Sequence, residues 1–187
     1  MSRRPSSCLI AVLALLACVP VQAERADRTK PLVVESDGKK AASVDLSKRT
    51  TTVVGNVVIT QGTLQIKADK VDVREDAPGR FSATALGSAA QPATFRQKRD
   101  RVDEVIEAQA LRIEYDGGAD RIRLVGEARM RILRAGQPAD EATAAVIVYD
   151  QPGDTLTFEG GSPGSSAAAS RPRLVFVPRA ESTEAPR

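Results

Sequence analysis

The residue types that perform chemistry are nearly missing from this chain. It contains no histidine, so a Ser-His-Asp relay, an imidazole base and an imidazole metal ligand are all out of reach. Its two cysteines, Cys8 and Cys18, both fall in an apolar leader. The remainder therefore has no disulfide, thiol nucleophile or thiolate metal site. No phosphate-cradling glycine loop or dinucleotide fingerprint occurs, and Gly160-Gly161 opens a Gly/Ser/Ala/Pro-rich run. Carboxylates such as Asp103-Glu104 are neighbours in one charged stretch, not a pair held across a fold for glycosidic acid–base work. These absences predict a protein that is not an enzyme and needs no cofactor or metal. What remains is charge pairing. Lys67, Lys70, Arg74, Arg112, Arg129 and Arg131 fall on the polar phase of alternating segments, where they could meet phosphates or simply face solvent.

The elements that must position these residues follow from the pattern of apolar side chains. The chain opens with Arg3-Arg4, an apolar run from Cys8 to Val19 too short to cross a bilayer, and a small-residue site at Val21-Gln22-Ala23. Residues 1–23 are thus expected to be a cleaved export signal; a rival reading takes Leu15-Leu16-Ala17-Cys18 as a lipobox with Cys18 lipidated. Without Arg3 and Arg4 the formal charge falls from +3 to +1, and aromatic residues make up 3% of the chain with no Trp. Neither a basic stripe nor stacking platforms are available, so nucleic acid is not an expected partner.

Downstream, the stretch "GNVVITQGTLQIKADKVDV" (Gly55–Val73) alternates apolar and polar residues on both sides of Gln61-Gly62, the pattern of a half-buried hairpin. The motif recurs. Gly55-Asn56-Val57, Gly87-Ser88-Ala89 and Gly126-Glu127-Ala128 each open a small-apolar alternation, and Gly160 ends another, at spacings of 32, 39 and 34 residues. Between them the alternation runs to Ala68, Ala108 and Ala142 and resumes three residues later. Each slip predicts a bulge or corner where a strand passes from one sheet face to another. Turns are expected at Gln61-Gly62, Ala77-Pro78-Gly79, Asp116-Gly117-Gly118, Gly136-Gln137-Pro138 and Pro152-Gly153-Asp154. The fold class is therefore all-β and antiparallel. Residues 24–160 form its body, 161–173 a linker, 174–178 a possible final strand, and 179–187 a disordered tail. The charged stretch Gln97–Glu107 reads as a long loop entering a strand.

With these residues in hand, the chain resembles the OstA-like family. The resemblance is carried by "PLVVESD" (Pro31–Asp37), "GNVVITQGTLQIKADKV" (Gly55–Val71), "QPATF" (Gln91–Phe95), "IEYD" (Ile113–Asp116), "LVGEA" (Leu124–Ala128) and "VFVP" near the end. It implies an open β-jelly roll, a V-shaped trough of two sheets whose apolar interior shelters lipopolysaccharide acyl chains in the periplasm. It also implies delivery from an inner-membrane complex (LptC-like) to an outer-membrane translocon (LptD-like), with head-to-tail self-association. On this reading the candidate lipid-binding residues are Leu32, Val34, Val57, Ile59, Leu64 and Ile66 in the first half. Phe95, Ile106, Leu111, Ile113, Tyr115 and Leu124 follow, then Met130, Ile132, Ile147, Tyr149 and Phe158. The aromatic members Phe95, Tyr115, Tyr149 and Phe158 are expected at the trough's mouth or seam. The candidate assembly edges are Leu32 and Val34 at one end and Leu156, Phe158, Val175 and Val177 at the other. The same alternation also suits plain sandwich core. A periplasmic β-scaffold for protein or glycan partners would use the edges but not the interior; a lipid-anchored relative of the same fold would act at the inner membrane.

Overall fold

A computed structural model describes residues 27–99, 102–160 and 171–178. The expected export signal, Cys18, most of the linker and the tail lie outside the described residues.

Among the described residues, twelve strands form one continuous antiparallel network. They are β1 (Val33–Glu35), β2 (Ser43–Asp45), β3 (Thr50–Gln61), β4 (Leu64–Ala77), β5 (Arg80–Leu86) and β6 (Ala93–Lys98). β7 (Glu104–Ala110), β8 (Arg112–Asp116), β9 (Arg121–Arg134), β10 (Gln137–Asp150), β11 (Thr155–Glu159) and β12 (Arg173–Val175) follow. Four of them, β3, β4, β9 and β10, are long enough to belong to two sheets at once. Their distal halves join β2, β5, β8 and β11 in a first sheet, ordered β2-β3-β4-β5-β8-β9-β10-β11. Their other halves join β1, β6, β7 and β12 in a second, ordered β1-β3-β4-β6-β7-β9-β10-β12. The two sheets meet along a corner and fold onto each other as a two-sheet jelly roll. Among the described residues, the end strands on either side of the path do not pair with each other.

The corner has a local cause on each long strand. β3 bends at Gly55-Asn56, where the register to β4 shifts between Val54 and Val57 and both residues have positive φ. β9 bends at Gly126-Glu127, again with both φ positive. A left-handed residue followed by an extra unpaired one is the geometry of a bulge, which reverses the side-chain phase and sharpens the turn. At Gly126 a Cβ would sit 3.1 Å from the Leu111 side chain. Backbone hydrogen bonds from Gly87 N–H to Leu111 C=O (2.9 Å) and from Leu111 N–H to Gly126 C=O (3.0 Å) carry the ladder around the bend.

The structure corrects several expectations from the sequence. The slip after Ala68 falls as expected, with Ala68 and Val71 both buried. In the other two copies it comes two residues later, because Ala110 and Ala144 are also buried before the phase changes at Leu111 and at Ala145. Leu111 is accordingly a corner residue against Gly126, not an interior one. The stretch Gln97–Glu107 is not a long loop: β6 runs to Lys98 and β7 begins at Glu104. β2 lies in a polar stretch where no strand was expected. All five expected turn sites do connect consecutive strands.

Candidate functional site

Between the sheets lies a single apolar layer. Val57, Ile59 and Ile66 from the second sheet and Ile113, Leu124 and Ile147 from the first are wholly buried. Leu64, Phe95, Ile106, Tyr115, Met130 and Tyr149 are buried beside them, and Leu32, Val34, Ile132 and Phe158 pack partly buried against the same layer. Sixteen of the seventeen expected interior residues therefore share one surface, Leu111 being the exception. Ile122 and Val71, both wholly buried, and Val53 and Val73 belong to it too, beyond the candidates named from the sequence. The "RIRLVG" alternation around Ile122 was a usable signal for the first of these. Small residues share the layer, among them Ala85, Ala93, Ala110 and Ala128, all buried. Phe95 does not stand at the mouth: it is 1% exposed in the middle of β6, opposite Ile66 and Ala108.

The layer changes character at the side opposite the corner, which is the mouth of the V. The buried polar side chains of the described residues, Gln61, Gln97, Glu104 and Asp120, all lie there, at the strand ends and turns farthest from the corner. Side-chain contacts among the described residues tie the sheets together across it. Tyr115 O–H, on β8 of the first sheet, donates to Gln61 Oε1 at the end of β3 in the second (2.9 Å). Arg99, beyond β6 of the second sheet, donates through Nε to Asp154 in the β10–β11 turn of the first (3.3 Å) and also pairs with Glu104. Burial opposes the Arg99 charge, but the hydrogen bond and charge of Asp154, with Glu104, outweigh it and hold its pKa above the usual value. Tyr149 hydroxyl also donates to Asp154 (3.2 Å), and burial together with that negative charge pushes its pKa up. A 3₁₀ turn, Asp27–Thr29, lies over this end. Asp27 accepts from Thr63 N–H (2.9 Å) and Thr63 hydroxyl (2.6 Å), and Gln61 Nε2 donates to Lys30 C=O (3.1 Å). A cavity of about 300 Å³ opens beside the Gln61–Tyr115 contact, bounded by Phe81 and Gly117.

The six cations singled out in the sequence sort by partner. Lys70 pairs with Asp72, Arg74 with Asp76, Arg112 with Glu114, and Arg131 with Glu107. Lys67 and Arg129 face outward and make no ion pair among the described residues.

The expected assembly residues lie on the edge strands. Val34 is in β1, Leu156 and Phe158 in β11, Val175 in β12, with Leu32 and Val177 just outside. Val33, Val44 and Leu46 are exposed at one edge and Leu174, Phe176 and Val177 at the other, so most large apolar side chains left in water stand at the two ends of the sheet path. Exposed apolar residues gathered in this way mark contact surfaces.

An apolar layer edged by unpaired strands and closed on one side by polar contacts suits holding a greasy ligand. The profile of the LptA/(LptD N-terminal domain) LPS transport protein family matches residues 34–154. The chain belongs to this family. Within it, the Escherichia coli K12 lipopolysaccharide export system protein LptA is 32% identical over 132 residues, covering 71% of this chain and 69% of that one. The Pseudomonas aeruginosa export system protein LptH is 27% identical over 151 residues, covering 81% and 80%. The crystal structure of LptH, described as the LptA-homologous periplasmic component of a lipopolysaccharide transport device, superposes with a TM-score of 0.65 at 27% identity. It covers 83% of this chain and 99% of that one. The family's shared two-sheet body thus spans all but the ends of the described chain.

Proposed function

We propose that this chain is a periplasmic lipopolysaccharide carrier that shelters acyl chains between its sheets and hands them from the inner to the outer membrane. The observation that carries this reading is the continuous apolar layer, which reaches strands at both edges and, among the described residues, is bridged by side-chain hydrogen bonds at the mouth. A methylene leaving water gains about 0.8 kcal/mol, so a chain of about twelve carbons represents on the order of 10 kcal/mol. Desorption of a multi-chain lipid into bare solvent is correspondingly slow. An apolar layer that accepts the chains removes most of that barrier without any bond being made.

In the structure the layer is filled by the protein's own side chains, so loading requires the sheets to part. That step exchanges apolar packing between sheets for apolar packing against acyl chains, which is close to neutral per unit area. The polar bridges across the mouth have no such replacement in the tails and must break. The corner bulges in β3 and β9 are the hinge about which the sheets separate. The exposed edges serve assembly. β1 and β2 of one copy meet β11 and β12 of the next, a head-to-tail contact that builds open rods in which the layer is continuous. The ends of such a rod dock an LptC-like inner-membrane component and an LptD-like outer-membrane component. Residues 1–23 are removed on export.

Native mass spectrometry of protein purified from the periplasm tests the reading. Co-purified lipopolysaccharide on a chain beginning at Glu24 is the expected result. A mass with no lipid, or one carrying a peptide instead, contradicts the carrier; an N-terminus at a lipidated Cys18 contradicts only the cleavage site.

A further inference from the structure

One polar atom in the mouth is out of place. Gln97 lies on the inward phase of β6, alternating with Phe95, and is 8% exposed. Its Nε2 reaches Asp27 Oδ2 at 3.4 Å. Because a carboxylate can only accept, this contact fixes which end of the amide is nitrogen. The other end, Oε1, is buried without a hydrogen-bond partner among the described residues. An apolar residue of similar size would fill the same position without leaving an acceptor dry, and native structures rarely tolerate such an atom without cause. The neighbouring polar groups at this level, Gln61 Oε1 and Tyr115 O–H, pair with each other across the gap between the sheets. That pairing breaks when the sheets part.

We infer that the mouth is the recognition site for the root of an acyl chain, the point at which an amide N–H or a hydroxyl joins it to the head of the lipid. This rests on the carrier reading. In the loaded state Gln97 Oε1 accepts a hydrogen bond from that N–H or O–H. Tyr115 O–H turns from Gln61 to a carbonyl of the same linkage, and Gln61 Oε1 accepts a second ligand donor. The groups that clasp the empty protein thereby become the groups that hold the full one, and opening leaves none of these three polar atoms dry. The position is coherent with the rest of the site: tails on the apolar side, linkage at the polar belt, head in water.

Gln97→Leu and Tyr115→Phe test this in the full mature protein, against lipopolysaccharide and against methyl laurate, an alkyl probe with no N–H or O–H at its root. Gln97→Leu should bind lipopolysaccharide about fivefold more weakly, bind methyl laurate as the parent does, and unfold at the same or a higher temperature. Tyr115→Phe should take up lipopolysaccharide faster and release it faster. Unchanged lipopolysaccharide affinity in Gln97→Leu overturns the inference, as does an equal loss for both probes, which would mark general damage to the layer. Faster uptake with unchanged release in Tyr115→Phe would make that hydroxyl a clasp only and overturn its part. If the parent protein binds neither probe, the carrier reading itself fails.

Discussion

Replacing Ile59 by alanine separates a protein that merely has an apolar core from one whose core is also the binding site. Ile59 is wholly buried in β3 and lies opposite Ile66, itself wholly buried, so the empty protein has little room to collapse around the gap. A substitution of this kind costs about 3 kcal/mol. For a body of this size that lowers the unfolding midpoint by about 10 °C. An acyl chain has no fixed shape and can occupy the vacated volume. At about 0.8 kcal/mol per methylene, refilling returns about 2 kcal/mol, leaving the loaded variant only about 1 kcal/mol, or about 3 °C, below the loaded parent. Ligand that binds only the folded state stabilises it by mass action, so the comparison must be made at saturating lipopolysaccharide for both proteins. Thermal unfolding followed by circular dichroism, with and without lipid, reads both gaps. A gap that stays near 10 °C in the presence of lipid would refute the reasoning, because it would mean that the ligand stabilises the fold from somewhere other than this layer.

Three further outcomes follow from the same structure. Proline at Val34 or Phe158, on the two edge strands, should reduce oligomer size in light scattering more than it lowers the unfolding midpoint; unchanged oligomers would remove the edges from assembly. Gly126→Ala should cost about 1–2 kcal/mol in chemical denaturation, part of it from positive φ and part from contact with Leu111. Adding Leu111→Ala should relieve only some of the second part, since the Cβ at 111, 3.2 Å from the new one, remains. The pH profile of stability should be flat between about pH 5 and 8, since there is no histidine, and should fall in acid. Asp72 is held below its ordinary pKa of 3.8 first by the Thr52 hydroxyl (2.6 Å), and Asp37 first by the Lys39 backbone N–H. Depressed carboxylates stabilise the fold above their unfolded pKa and lose that contribution as pH falls through the folded one, so Asp72→Asn should flatten the acid limb.

What could be read from the sequence was what repeats locally. The alternation in β3 and β4, the turn residues and the corner glycines Gly55 and Gly126 each act within a few neighbours, and each kept its role in the fold. The displaced phase slips were harder, because Ala110 and Ala144 are too small to stand out as interior residues. β2 has only three residues, and its one apolar side chain, Val44, is exposed. The β6–β7 hairpin looked like loop because its inward position 97 is a glutamine, which breaks the apolar pattern at the point where the interior turns polar. The pairings across the mouth left no local trace. They join Gln61 to Tyr115 and Arg99 to Asp154, residues separated by more than fifty positions and brought together only when the sheets fold over. Side chains that line the layer and side chains that merely hold the sheets together look alike in a sequence, since both must be branched and apolar.

The central claim is that acyl chains lie on the inward side of these sheets. Ile66 and Lys67 are consecutive residues of β4 that face opposite ways, one wholly buried and the other exposed. A photoreactive side chain placed at each in turn therefore samples the two faces of a single strand. The account predicts that lipopolysaccharide crosslinks at 66 and not at 67, with the same contrast between Phe95 and Arg96 on β6. Equal crosslinking at both members of a pair, or crosslinking confined to 67 and 96, would contradict it.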